Sequence, residues 1–286
     1  MPELPEVETI RLGLKDFVLN KKIVRVEVKC EKSFVGRKEK IVQRKFTEIG
    51  RRGKALIFRL DDGMNMLVHL RMTGQMIYVG GDERFAGGHP NENFVEELPN
   101  GQTRVIFYFE DGSKMFFNDQ RKFGFCKVMS GEELEKDGFL KKLGKEPWEC
   151  EKGEFFAKIH GKNVSIKAAL LDQSVMAGLG NIYTDEALYL SGIHPETKCN
   201  EIDREKCEEI VKNAGKVMKK SIELGGSTIR NYVKADGTRG NYLDKFAKVY
   251  GREGKTCEKC METIKKMRVA GRGTYYCPKC QRRNDD

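Results

Sequence analysis

The feature that most limits what this chain can become lies near its carboxyl end. Cys257 and Cys260, then Cys277 and Cys280, follow the spacing C-x2-C-x16-C-x2-C. Two residues between thiolates let both sulfurs of a pair reach one ion, and two such pairs complete a tetrahedral site. The residues between the pairs, TIKKMRVAGRGTYYC, read as a hairpin turning at residues 270–273, with Arg272 at its tip. A hairpin of that size is too small to fold alone, so a bound ion is expected to hold it. Four thiolates leave zinc no open position for water, which predicts one structural Zn2+ and no metal chemistry. A redox CxxC is the competing reading, and two matched pairs on one short hairpin argue against it. Cys30, Cys126, Cys150, Cys199 and Cys207 are scattered along the chain and are expected as buried or free thiols.

The same end is basic. Residues 251–284 hold ten Lys/Arg and three acids, a net +7 of the +10 carried by the whole chain. A block this basic points to a polyanion, nucleic acid foremost, although a solvated basic tail has the same composition. Apolar runs such as VIFYF at 105–109 are too short to cross a bilayer, and the first residues carry acids rather than a basic leader. An intracellular, soluble protein is the expectation.

A chain of 286 residues has room for two domains with separate cores. MPELPEVET opens it, and Val7, Ile10, Leu14, Phe17 and Val18 then follow a helical period. Pro5 suits the first position of that helix, and Glu6 and Glu8 suit its positive end. ALIFRLDDGMNMLVHL and RVIFYFEDGSKMFFN each place Asp-Gly between apolar runs, a hairpin signal. Strand patterns prevail from about residue 20 to 130, interrupted by a Gly-rich loop at 80–93. The charged, strand-poor stretch 130–147 marks a boundary, and helical patterns follow it. The expected division is a β domain at 1–131, a linker at 132–147, a helical domain at 148–240 and the cysteine-rich end at 241–286. That is an α+β multidomain chain whose first domain is an antiparallel sandwich or barrel.

Taken together, MPELPEVET and VAGRGTYYCPKC resemble the two signatures of the formamidopyrimidine-DNA glycosylase family. RRGKALIF, HLRMTG, DQRKFG, LLDQSVMAGLGNIYTDEALYLSGIHP, GGSTIRNYV and VYGREGKTCEKC fall between them in that family's order, so the resemblance runs almost the whole length. It implies a β-sandwich with flanking helices, then a helix–two-turn–helix domain with a zinc-finger β-hairpin, and double-stranded DNA in the cleft between them. It also implies a base-excision repair enzyme that is both DNA glycosylase and abasic-site lyase. Its substrates would be formamidopyrimidines and 8-oxoguanine opposite cytosine. Such an enzyme is expected as a monomer in the bacterial cytoplasm, on DNA, with no membrane and no obligate protein partner. The sister endonuclease VIII-like group, which prefers oxidised pyrimidines, shares several motifs. A zinc-containing DNA-binding protein without chemistry would need one of the reactive residues missing.

The resemblance assigns roles residue by residue. Once Met1 is removed, Pro2 presents a secondary α-amine, neutral far more often near pH 7 than a lysine. Its adduct with the sugar is an iminium, an electron sink that needs no proton. Glu3 is the implied general acid/base and Glu6 a second carboxylate organising the site. Lys54 would contact phosphate and the damaged nucleotide, and His69 a phosphate. Met72, Arg121 and Phe123 would fill the gap left by an extruded base, with Arg121 facing the orphaned cytosine. Asn181 and Arg272 would bind phosphate, and a loop at 225–240 bearing Ser227, Thr228, Arg230 and Tyr232 would close over the base. Arg230 stands where some relatives carry Lys, and Lys145 where they often carry Pro. Without the resemblance, Lys54 beside Arg51 and Arg52 reads as a solvated strand end and His69 as a half-buried residue. Arg121 and Phe123 then read as an ordinary hairpin end.

Overall fold

The periodic apolar residues after Pro5 form helix α1 (Leu4–Val18) in a computed structural model of the protein, which describes residues 1–88, 97–226 and 242–283. Leu4, Val7, Ile10, Leu14 and Val18 are all buried along one face. Ten strands follow: β1 (Ile23–Val28), β2 (Phe34–Val35), β3 (Phe46–Arg52), β4 (Ala55–Leu60), β5 (Asn65–His69), β6 (Gly74–Gly80), β7 (Glu83–Gly88), β8 (Thr103–Phe109), β9 (Lys114–Asp119) and β10 (Phe125–Met129). They form two five-stranded sheets, ordered β1-β8-β9-β6-β7 and β2-β10-β5-β4-β3. Among the described residues every pairing between these strands is antiparallel except the short β2–β10 contact.

The two Asp-Gly hairpins lie in opposite sheets, β4–β5 in one and β8–β9 in the other. Each turns on a glycine in the left-handed region, Gly63 at φ +83° and Gly112 at φ +82°. In each the aspartate accepts from the residue two ahead, Asp62 from the Met64 N–H at 3.1 Å and Asp111 from the Ser113 N–H at 3.0 Å. Phe46, Phe58, Met66 and Val68 from one sheet meet Met76, Phe107, Met115 and Phe117 from the other in a single core, joined by Val7, Ile10 and Leu14 of α1. VIFYF is continuously apolar because its strand is covered on both faces. Val105 and Phe107 enter the main core, while Ile106 packs outward with Ile77, Ala86 and Phe116 beside Leu98. Helix α1 packs against β3 and β7, the edge strands of the two sheets. Gly13 permits this approach, since a Cβ there would lie 2.1 Å from the Phe85 ring.

The charged stretch read as a linker begins with α2 (Gly131–Lys136) and α3 (Gly138–Lys141). Ser130 caps α2 through a reciprocal pair: its hydroxyl accepts from the Glu133 N–H, and its own N–H donates to the Glu133 carboxylate. By packing, the chain divides into Met1–Lys141 with Leu224–Gly240 and, separately, Lys142–Glu223 with Asn241–Asp286. The second unit holds α4 (Glu154–Ile159), α5 (Ile166–Leu171), α6 (Asn181–Leu190), α7 (Arg204–Glu223) and α8 (Tyr242–Lys245). Strands β11 (Lys265–Val269) and β12 (Arg272–Tyr276) end it as an antiparallel pair. Among the described residues no helix is long and apolar enough to cross a membrane.

Candidate active site, phosphate contacts and zinc centre

Pro2 is buried at the foot of α1, and Glu3 and Glu6 are only 3% and 5% exposed. Glu3 takes the capping position before the helix in extended backbone, and its N–H donates to Glu6 Oε2 at 2.8 Å. The carboxylate at the third helical position therefore ties down the residue that follows Pro2, as in a capping box. One turn on, Glu8 accepts from Arg11 at 2.6 and 2.9 Å and from Arg51 at 2.9 Å. Burial works against the Glu8 charge, but these two guanidinium groups outweigh it and hold the carboxyl below its usual range.

Arg51 links this helix to the next candidate. Its Nε binds Glu8 and its Nη1 donates to the Gly53 carbonyl at 2.9 Å, so the β3–β4 turn is anchored to α1. Lys54 sits in that turn, 5% exposed, and is not a solvated strand end. The next residue, Ala55, pairs with His69 across β4–β5. His69 is likewise 5% exposed. Burial, reinforced by the positive charges of Arg71 and Lys54, pushes its pKa down to about 3. The Arg71 N–H donates to His69 Nδ1 at 3.0 Å, aided by a left-handed φ of +51° at Arg71. The ring is thus neutral near pH 7 with its proton on Nε2. It can donate to a phosphate oxygen without bringing a charge.

Met72 is half-buried and Arg121 and Phe123 are exposed, the latter at 57%. They lie on two loops, one between β5 and β6 and one between β9 and β10. Asp119, which is fully buried at the end of β9, joins these loops. Its Oδ1 accepts from the Thr73 hydroxyl and from the Arg121 N–H at 3.2 Å, and its Oδ2 accepts from the Gly124 N–H at 2.7 Å. The motif DQRKFG carried this residue in plain view, but only the contacts give it a task.

In the second unit the four cysteine sulfurs lie within 4.8 Å of one another, with Cys257–Cys280 at 3.9 Å and Cys260–Cys277 at 3.4 Å. A tetrahedron of Zn–S bonds near 2.3 Å requires sulfurs about 3.8 Å apart. The donor set and its spacing therefore fit one zinc ion held by Cys257, Cys260, Cys277 and Cys280. The β11–β12 turn has two residues, Ala270 at φ +49° and Gly271 at φ +71°, the geometry that matches strand twist. Arg272 is exposed and is the first residue of β12, paired with Val269.

Helix α6 holds the zinc-finger end through Asp185, Glu186 and Tyr189, which sequence patterns did not disclose, and through Asn181. Asp185 Oδ2 accepts the Tyr275 N–H at 2.9 Å while Oδ1 meets Lys167 Nζ at 2.6 Å, both side chains fully buried. Burial raises the Asp185 pKa to about 6 despite that cation, which leaves it ionised near pH 7. Glu186 accepts the N–H groups of Lys248, Val249 and Tyr250 at 2.8–2.9 Å. The Tyr189 hydroxyl, kept protonated by burial and the neighbouring sulfur, donates to Cys257 Sγ at 3.2 Å. Asn181 opens the helix, where Gly180 supplies no side-chain cap, and its Nδ2 donates to the Gly273 carbonyl at 2.8 Å. This places Asn181 beside Arg272 at the positive end of the helix dipole. An adjacent acid pair in an otherwise buried helix, NIYTDEALYL, was the available signal. Ser227, Thr228, Arg230 and Tyr232 lie outside the described residues.

Comparison with known proteins covers the chain from end to end. Residues 1–126 match the family model for the formamidopyrimidine-DNA glycosylase N-terminal domain, 143–233 that for the H2TH domain of the same glycosylase, and 254–283 a zinc finger found in FPG and IleRS. The chain is 40% identical to the formamidopyrimidine-DNA glycosylase of Ligilactobacillus salivarius, over 98% of this chain and 99% of that protein. It is also 40% identical to the Bacillus licheniformis protein of the same name, over 99% of this chain and all of that one. Among solved structures, a complex of Lactococcus lactis Fpg with abasic-site DNA superposes with a TM-score of 0.85 at 33% identity, covering 98% of this chain and 100% of that one. A complex of the same enzyme with Fapy-dG DNA gives 0.85 at 32% identity with the same coverage.

Proposed function

The chain belongs to the formamidopyrimidine-DNA glycosylase family, and from that premise we propose that it excises formamidopyrimidines, and 8-oxoguanine opposite cytosine, from duplex DNA and then cleaves the strand by β- and δ-elimination through Pro2. It is an enzyme of that family, a DNA glycosylase with abasic-site lyase activity, whose four cysteines hold a structural zinc. With Met1 removed, the Pro2 nitrogen attacks C1′ of the damaged nucleotide, the bond from C1′ to the base breaks, and the base leaves with the proton that the amine gives up. The nitrogen lone pair then breaks the C1′–O4′ bond as O4′ takes a proton, which opens the sugar and leaves an iminium. The resulting iminium acidifies the C2′ proton. Its loss expels the 3′ phosphate, and a second elimination expels the 5′ phosphate. Glu3, one residue away, is assigned the movement of these protons. Glu6 accepts from the Glu3 backbone and so fixes the orientation of the first residues against the helix.

One observation carries this reading. Pro2, Glu3 and Glu6 share one capped, buried helix end, and Arg51 ties the turn bearing Lys54 to that same helix. A nucleophile, a proton carrier and a cation are then held by one rigid scaffold, which is what covalent catalysis at a charged sugar-phosphate requires. His69 adds a neutral donor beside Lys54. In the second unit Asn181 and Arg272 supply phosphate contacts, and the zinc site keeps Arg272 at the start of β12. The loop at 225–240 with Ser227, Thr228, Arg230 and Tyr232 is assigned to closure over the extruded base.

The test is product analysis on denaturing gels with an end-labelled 8-oxoguanine:cytosine duplex. Wild-type protein should leave phosphate on both sides of a one-nucleoside gap. Pro2→Gly should lose that cleavage by about a thousandfold or more. Products bearing a 3′ unsaturated aldehyde alone would remove the δ step, and cleavage only of oxidised pyrimidines would reassign the substrate.

A further inference from the structure

We infer that Asp119 is a positioning residue for base extrusion: its buried carboxylate clamps the Met72 loop to the Arg121–Phe123 loop, so that both wedges enter the duplex as one body. The inference rests on the functional reading above and adds a residue to it. Met72 and Phe123 belong to loops that leave different sheets, since β5 lies in one sheet and β6 and β9 in the other. Wedges on independent loops would each lose freedom on entering DNA. A shared anchor removes that loss before binding.

Three donors converge on the one side chain. The Thr73 hydroxyl comes from the Met72 loop, and the Arg121 and Gly124 N–H groups come from the two ends of the other loop. The Arg121 N–H also lies 3.0 Å from Thr73 Oγ1, closing a triangle between the loops. The aspartate itself is fixed from behind, its N–H donating to the Gln102 carbonyl at 2.9 Å and its carbonyl accepting Arg104 Nε at 2.7 Å. Gly124 is pressed into place, because a Cβ there would lie 2.8 Å from the Phe117 ring and 2.9 Å from the His69 carbonyl. Between these anchors the exposed residues include Arg121, Lys122 and Phe123. Phe123 is an aromatic ring left 57% exposed, with the Arg121 guanidinium 4.9 Å from its centroid. Exposed display of a large apolar ring on an immobilised turn is what an intercalating wedge needs.

The clamp depends on the carboxylate. An amide of the same size offers one acceptor oxygen and one donor NH2, so Asp119→Asn sets a donor against the Gly124 N–H or against the Thr73 and Arg121 groups. A buried N–H without an acceptor is costly, and the loop is the part free to move. The side chain has no part in the chemistry at C1′, so the defect should be confined to the extrusion step.

The experiment compares two single-turnover rates for wild-type and Asp119→Asn protein: excision from an 8-oxoguanine:cytosine duplex, and strand cleavage at a preformed abasic site opposite cytosine, where no base has to leave the stack. We expect excision to fall by about tenfold or more and abasic cleavage by less than about threefold. A 2-aminopurine next to the lesion, bright when unstacked, should lose its rise in the variant. Equal losses in both rates, or no loss, with active wild-type protein, would overturn the inference and leave the functional reading standing. Wild-type protein inert on both duplexes would overturn both. If Asp119→Asn does not fold, Thr73→Val, which removes only the hydroxyl at the junction, must show the same split in rates.

Discussion

The two ends of this chain each present a residue to which a function is proposed, and they do so by opposite means. At the amino end, α1 is held by apolar packing and by a hydrogen bond from Glu3 to Glu6, with Val7, Ile10 and Leu14 sunk in the core of two sheets. At the carboxyl end, two five-residue strands share a small cluster made of Tyr189, Val249, Cys257, Ile264 and Cys277. That cluster is too small to hold the hairpin, and the metal and the side chains of α6 take over. Positioning by a core is spread over many contacts and degrades gradually. Positioning by an ion fails at once when a ligand is lost.

Metal removal gives the largest effect and the sharpest contrast. Chelation, or Cys277→Ser, should unfold the hairpin, since structural zinc contributes about 10–16 kcal/mol to small metal domains. Limited proteolysis should then cut between residues 257 and 280 while the first 141 residues stay intact, and duplex affinity should fall with Arg272 displaced. Co-operative loss of both regions would show that the comparison is wrong.

Next in size is the buried pair behind the hairpin. Lys167→Met strands Asp185 without its cation and should cost about 3–5 kcal/mol in urea unfolding. Adding Asp185→Asn should recover part of that loss, because the uncompensated charge is gone. Failure of the second substitution to recover anything would mean that Lys167 acts through packing alone.

The His69 ring supplies a pH test within the packed region. Its folded pKa of about 3 lies below the ordinary 6.5, so the unfolded chain binds the proton first as the medium is acidified. The stability this neutral ring provides is complete above pH 6.5 and is lost progressively between pH 6.5 and 3. At pH 5 the loss should be about 2 kcal/mol. His69→Gln should flatten that part of the stability curve, and an unchanged curve would place the ring's titration near its ordinary value.

The smallest effect belongs to the cap. Glu6→Gln should cost about 1 kcal/mol of stability and leave the fold intact. Single-turnover excision should fall by more than thermal stability suggests, since the residues next to the nucleophile lose their fix. Equal retention of rate and stability would reduce Glu6 to an ordinary helix residue.

Local patterns carried a good part of this in the sequence. Cysteine spacing marks the four ligands, Asp-Gly pairs mark both hairpins, and the helical period of Val7, Ile10 and Leu14 marks α1. Each of these depends on neighbours a few residues away. Lys54 shows the limit, because it is buried in a turn anchored by Arg51 to Glu8, 43 positions earlier. Asp185 likewise meets its backbone partner at Tyr275, 90 positions on. The sequence spreads the hairpin turn over residues 270–273 because Ala270 does not advertise a left-handed backbone, and the structure confines it to two. Asp119 is silent in the sequence for the same reason as Arg51: its meaning lies in two loops that meet only after both sheets have formed.

The central claim is that Pro2 is the nucleophile on a prearranged helix end. Borohydride trapping on an 8-oxoguanine:cytosine duplex, with intact mass and peptide mapping, tests it most directly. The account predicts a covalent protein–DNA adduct at the Pro2 nitrogen in protein that lacks Met1, and none in Pro2→Gly. An adduct mapped to Lys54 or another lysine, or efficient strand cleavage by protein that retains Met1, would contradict it.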